Sequence, residues 1–166
     1  MRMHRRKDDP REPGDRGREE TVKLSDAASF LLDECRMVLP GIQSLFGFQL
    51  IAVFSEGFHQ RLAEYEQVLH LGAIALIGLA IALIMTPAAV NRRLDPRVVT
   101  SGFVELGARL LMWSMAPLAL GLCLDFYLVA RVITGSVEVV WLAVLLLALF
   151  LALWWWLPRR LRSRLR

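Results

Sequence analysis

Four stretches of this chain run for 15 to 25 residues without a single Asp, Glu, Lys or Arg: Met37 to Ser55, Gln67 to Asn91, Leu110 to Leu124 and Val139 to Pro158. About 20 apolar residues at a rise of ~1.5 Å per residue cross a ~30 Å hydrocarbon core. The second and fourth runs meet that length outright. The third meets it when it continues through Asp125 to Ala130, and the first meets it with Gln43 and Gln49 inside. Strands fit poorly, because the runs lack polar/apolar alternation and are dominated by Ala and Leu rather than β-branched residues. A soluble helical bundle fits no better: its helices need a charged outer face, and "VVWLAVLLLALFLALWWWLP" has none. The expectation is an all-α, integral membrane four-helix bundle with spans at about 40–57, 68–90, 106–130 and 138–157.

The flanks complete this picture. Nine of the twenty Lys and Arg residues precede residue 37 and five follow residue 158, so charge gathers at the ends of a chain that is otherwise 55% hydrophobic. Residues 1–23 contain Pro10, Pro13, Gly14 and Gly17 among charges of both signs and no apolar run. Such a segment buries too little surface to offset its ordering entropy and is expected to be a disordered tail. Its basic start leads to no hydrophobic region or small-residue cleavage site, so a secretory signal peptide is not expected. Over 24–39, Leu24, Ala28, Leu31, Cys35 and Val38 recur at steps of 4, 3, 4 and 3. That spacing predicts an amphipathic interfacial helix with Ser25 as its N-cap, and Pro40 then suits the first turn of a new, spanning helix. Residues 159–166 form a basic tail.

Orientation follows from the basic residues. With four spans, both termini lie on one side with the loop at 91–101. That side holds seventeen Lys and Arg residues against two, Arg61 and Arg131, on the other. The excess places both termini in the cytoplasm of a bacterial inner membrane. Trp141 at one end of the fourth span, and Trp154, Trp155 and Trp156 at the other, suit the two headgroup levels. Together with Arg159, Arg160 and Arg162, these three tryptophans are expected to anchor the tail to anionic lipids. No folded reading element or stacking platform points to nucleic acid.

Residues with chemistry to offer are few. In the third span Asp125 shares a broad face with Ser114, Pro117 and Gly121. An acid within a span is a functional candidate by default. Arg131, six positions on, is poorly placed to pair with it on one helix, so a partner from another helix is expected, with His70 or Arg61 as candidates. Asp125, Gln43, Gln49 and His70 form the candidate intramembrane polar site. Gln43 and Gly47, four apart, are expected to pack and hydrogen-bond against another helix. Gln49 lies about 240° round from Gln43 and cannot line the same narrow path. In the second span Gly72, Ala75, Gly78, Ala82, Thr86 and Ala89 form a stripe of small residues suited to close helix packing, within the chain or between copies. Glu105 and Arg109 stand in the favourable i, i+4 order. Cys35 and Cys123 are expected to be unpaired packing residues. His59, His70, Glu56, Glu64 and Glu66 match no metal-ligand spacing, so neither a metal nor any other cofactor is expected.

The segments "LLDECRMVLPGIQSLFGFQL", "FHQRLAEYEQVLH" and "TPAAVNRRL" resemble small bacterial four-span membrane proteins classed as a domain of unknown function. The residues that carry the likeness are Glu34, Arg36, Gly41, Gln43, Phe46, Phe58, Arg61, Pro87 and Ala88. Members often have a His where Asn91 stands here, so no role of that His carries over. The resemblance implies four helices and a bacterial inner membrane, and brings no activity with it.

No nucleophile elbow, phosphate-binding Gly-rich loop, zinc-protease helix or dinucleotide fingerprint occurs, which removes the usual grounds for an enzyme. The leading expectation is a non-enzymatic scaffold or accessory membrane subunit that packs against itself or a membrane partner. The alternative is a small oligomeric transporter or channel using Asp125 and the intramembrane glutamines.

Overall fold

The structure, a computed structural model, describes residues 13–92 and 101–164, with side chains for 22–92 and 101–160. The described residues are helical and contain no strand. Helix α1 (Pro13–Val53) is followed by the short α2 (Glu56–Arg61), then α3 (Glu64–Asn91) and α4 (Ser101–Thr134). A tight turn leads to α5 (Val140–Leu151), which passes through a π-helical segment, Ala152–Trp156, into α6 (Leu157–Arg164). Four helical stretches are long and apolar enough to cross a membrane: Val22–Val53, Glu64–Asn91, Ser101–Thr134 and Val137–Arg160. The chain is a multi-pass four-helix bundle.

The N-terminal part departs from the sequence reading. A break at Pro40 was the expectation, with an interfacial helix before it and a disordered tail before that. Instead α1 runs through Pro40 without interruption, and residues 13–23 form its first turns; residues 1–12 lie outside the described residues. Proline inside a spanning helix is tolerated where neighbouring groups take over the freed backbone carbonyl, and here that carbonyl belongs to Arg36, among the charged residues Asp33 to Arg36. Ser25 is not a cap but lies within the helix, its hydroxyl donating to the Val22 carbonyl at 2.8 Å. The apolar stripe also has a different use. Ala28, Leu31 and Cys35 are buried, and Leu31 presses on Gly107 of α4, so this face packs on the protein rather than on lipid headgroups.

Packing follows a seven-residue rhythm in three helices, as expected where side chains of one helix seat between those of its neighbour. In α1 the rhythm runs through the buried Ala28, Cys35, Ile42 and Gln49; in α3 through His70, Ile77 and Ile84, joined by Ala73, Ala80 and Pro87; in α4 through Gly107, Ser114, Gly121 and Leu128. Cys35, Ile42, Ile77 and Ile84 form the central cluster, wrapped by Phe46, Leu111 and Leu118. Helix α4 is the hub, touching α1, α3 and α5.

The closest approach is made by small residues of α4, not by the predicted stripe in α3. A methyl group on Gly121 would fall 2.8 Å from Ile77 Cδ1 and 3.3 Å from the Ala73 carbonyl oxygen. Ala75, Ala82 and Ala89 are exposed, while Gly72, Gly78 and Thr86 lie at the margin, where Gly78 faces the Phe46 ring. Steps of 3, 3, 4, 4 and 3 carry the stripe away from the buried seam, which keeps the alternating 4 and 3 of Glu66, His70, Ala73, Ile77, Ala80, Ile84 and Pro87. Within the chain the stripe packs only along its edge, where Gly78 meets Phe46.

Helix α5 buries only Ala143, with Val139 just before it, and turns most of its apolar surface outward. Gly135, at φ +70°, makes the turn that brings α5 back along α4; its N–H donates to the Arg131 carbonyl at 2.9 Å. Left-handed backbone at a helix C-terminus is where glycine is least strained.

Candidate functional site

The seven-residue rhythm ends in polar groups at one end of the bundle. Continuing α1 by one step from Ile42 reaches Gln49, and stepping back along α3 from Ile77 reaches His70. Asp125 stands one turn beyond Gly121 in α4. These three side chains, from three helices, meet. The Gln49 amide donates to Asp125 Oδ2 at 2.5 Å. His70 Nδ1 lies 3.4 Å from Asp125 Oδ1, and His70 Nε2 lies 3.0 Å from the Gln49 main-chain carbonyl. Gln49 is 4% exposed and His70 7%. The Phe58 ring of α2 closes over the imidazole at a centroid distance of 5.2 Å.

The contacts constrain where protons can sit. A carbonyl oxygen only accepts, so the 3.0 Å contact is a hydrogen bond in the tautomer that carries hydrogen on Nε2. In the neutral imidazole Nδ1 is then a lone pair, and it faces a carboxylate oxygen. Two lone pairs repel, whereas one proton between them makes either an imidazolium–carboxylate pair or a neutral imidazole with a carboxylic acid. Both arrangements have zero net charge, which a low-dielectric interior favours over a lone ion. This geometry suits a proton placed between His70 Nδ1 and Asp125 Oδ1. Without that proton two acceptors have no aligned donor, Gln49 Oε1 and Asp125 Oδ1.

One turn along α3 toward its N-terminus sits a second charged element. Glu66 is 2% exposed, accepts from the Ala63 N–H at 2.9 Å and from the Tyr65 hydroxyl at 3.2 Å, and faces Arg131 Nε of α4 at 3.0 Å. Glu66 thus caps α3, where an acid is favoured by the exposed N–H groups, and ties α3 to α4 beside the polar cluster. Sequence reasoning missed this pair. It weighed Glu66 only as a metal ligand and tested Arg131 only against Asp125.

Other candidates lie elsewhere. Gln43 is exposed, and nothing lies near a side chain built on Gly47, so that face is not a packed one; a quarter of a turn separates it from the Ile42–Gln49 seam. Arg61 is exposed on α2, and Asp125 takes His70 and Gln49 as its partners. Cys35 and Cys123 are free and buried. Among the described residues no cluster of His, Cys, Asp and Glu could hold a metal ion. Of the tail residues, Trp156 is exposed with the Arg160 guanidinium 4.4 Å above its ring, and Trp154 stacks on Phe150 at 4.7 Å. Trp155 is half-buried and Arg159 exposed; the Arg162 side chain, like Arg93 and Arg97 in the loop, lies outside the described residues.

Beside the cluster, a groove of about 340 Å³ runs between the ends of α1 and α4 under α2. Its walls are apolar, and Gln49, His70 and Asp125 form its polar wall. No curated protein and no solved structure matches the chain. A family profile does match, over residues 19–158, which takes in all four spans and every member of the cluster; the chain belongs to the family of unknown function DUF6328.

Proposed function

We propose that this protein is a small, non-enzymatic transporter of a bacterial inner membrane, with both termini cytoplasmic, that links movement of a solute to uptake and release of a proton at His70–Asp125. The observation that supports it most is the meeting of Asp125, His70 and Gln49 from three different helices, inside the membrane-spanning part of the bundle. Ionisable side chains in spans are rare because each one opposes insertion, and they gather where protons, ions or substrates pass. A scaffold held together by packing needs no such group. The basic excess on one side supports the orientation.

The test is pH-difference infrared spectroscopy on the protein in lipid, followed by solute-evoked proton flux in proteoliposomes across a panel of small molecules. Wild type should show a carboxyl protonation signal and a flux, and Asp125→Asn should lose both. A signal that survives in Asp125→Asn would sink the reading.

A second reading, an accessory subunit that packs against itself or another membrane protein, is favoured by the outward apolar face of α5 and the exposed Ala75, Ala82 and Ala89 of α3. A stable co-purified partner with no flux across the panel would select it.

A further inference from the structure

We propose that the groove beside the cluster takes a single-chain amphiphile with a monocationic, hydrogen-bond-donating head, of the alkylammonium type, and takes it in exchange for the cluster's proton. This rests on the proton-linked reading above and names the solute class. The groove, at about 340 Å³, falls within the range of small-molecule sites, which are mostly apolar with a few convergent polar groups. Leu45, Ala52, Leu62 and Leu128 line it, and its rim residues Val129 and Ile133 are 58% and 77% exposed. That rim lies on the outer surface of the bundle, so an acyl or alkyl chain can slide in sideways from the lipid.

The polar wall chooses the head. Once the shared proton has left, two acceptors of the wall lack a donor, Gln49 Oε1 and Asp125 Oδ1, and Gln49 is only 4% exposed. They call for N–H or O–H donors, and a primary ammonium brings three. Charge then sets the stoichiometry. With its shared proton the cluster is neutral. Adding a cation leaves a net positive charge in a medium that penalises it, and expelling the proton restores neutrality. The balance is RNH₃⁺ plus protonated cluster giving RNH₃⁺ bound to the deprotonated cluster plus H⁺. A neutral alcohol offers one donor and no charge, and an anion is repelled. The other charged or titratable groups at this end do not replace the proton. On α3 and α4, Glu66 and Arg131 face each other, with Tyr65 on Glu66. On α2, Glu56, His59 and Arg61 are exposed, as is Glu64. Helix α1 has no titratable side chain between Met37 and Val53.

The experiment titrates octylammonium into the protein in zwitterionic nanodiscs at low buffer strength, reading heat and released protons, with empty nanodiscs, octanol and octanoate alongside. Expected are about one proton released per cation bound and an affinity that falls about tenfold per pH unit on acidification while the cluster is protonated. Asp125→Asn should weaken binding about 10- to 100-fold and abolish the release. Val129→Trp, at an exposed rim position, should block binding while leaving the infrared carboxyl signal intact. Binding without proton release, equal competition by octanol, or unchanged binding in Val129→Trp would each overturn the proposal. No octylammonium binding beside an intact carboxyl signal removes this solute class but leaves the proton site standing; loss of the signal itself removes both.

Discussion

Replacing Asp125 by Asn removes the proton but not the shape. In the folded protein the carboxyl group accepts the Gln49 amide at 2.5 Å and faces His70 Nδ1 at 3.4 Å. The Asn carbonyl can keep the first contact, and its NH₂ meets the Nδ1 lone pair, which the Nε2–H tautomer leaves free to accept. Two opposing effects then nearly cancel. A hydrogen bond to a charged group, worth about 1.5–3 kcal/mol, becomes a neutral one of about 0.5–1.5. Against this, an acid in a span opposes insertion by about 2.5–3.5 kcal/mol at mid-helix, and less toward an end; Asp125 is nine residues from Thr134, or ~13 Å along the axis. The net change should be within about 1 kcal/mol. Asp125→Leu is different, because it strands the Gln49 amide and His70 Nδ1, at about 1–3 kcal/mol for each buried group left unmatched. It should be about 2–4 kcal/mol less stable than Asn. Reversible unfolding in mixed micelles, followed by tryptophan fluorescence, measures the difference. If Asn destabilises as much as Leu, the carboxylate is held for its charge and the shared-proton argument fails.

Further substitutions and fusions probe the frame. Gly121→Ala should lose about 1–3 kcal/mol, since a methyl there overlaps the fully buried Ile77, whereas Gly47→Ala, with nothing near its Cβ, should gain about 0.5–1 kcal/mol of helix propensity; the same unfolding assay reads both. Glu66→Ala should cost at least the ~0.5–2 kcal/mol of a lost cap, and Glu66→Gln should recover most of that loss because an amide oxygen still accepts the Ala63 N–H, again by unfolding. A fluorescent-protein fusion at the C-terminus should glow and an alkaline phosphatase fusion there should be inactive, as cytoplasmic termini require; the reverse pattern would invert the orientation.

Hydropathy made the four spans legible, because about 20 uncharged residues leave few other folds open. The expected third span, 106–130, lies wholly within a longer helix. Helix α4 begins at Ser101, since Glu105 and Arg109 pair at 2.6 Å one turn apart and let the helix extend past the apolar run. The polar site was half legible. Asp125 and His70 stood out by type, but Gln49 was weighed against Gln43 without knowing which faced inward. The missing signal was the rhythm of Ala28 and Cys35, which continues through Pro40 to Ile42 and Gln49. A break assumed at the proline cut that register in two. The small-residue stripe was ambiguous for the opposite reason: size alone does not say which face is inward, and the buried seam of α3 uses Ile77 to fill the space left by Gly121 on α4. The Glu66–Arg131 pair joins residues 65 apart in sequence, and no local pattern announces it.

The three members of the cluster do not hold their helices equally. Helices α3 and α4 share the longer interface and are tied again by Glu66–Arg131, so His70 and Asp125 sit on one rigid pair. Helix α1 touches that pair less extensively, and at this end it is joined through Gln49, by its amide to Asp125 and by its carbonyl to His70. On the proton-linked reading, both joints depend on the proton. An imidazolium makes a stronger, charge-assisted bond to the Gln49 carbonyl than a neutral ring does, and a carboxylate holds the Gln49 amide more tightly than a carboxylic acid does. Moving the proton from ring to carboxyl weakens both bonds at once, and carrying it away weakens the first. The end of α1, which also forms a wall of the groove with Leu45 and Ala52, is thus the element whose position the proton biases, and a ligand that replaces the proton acts on the same two bonds.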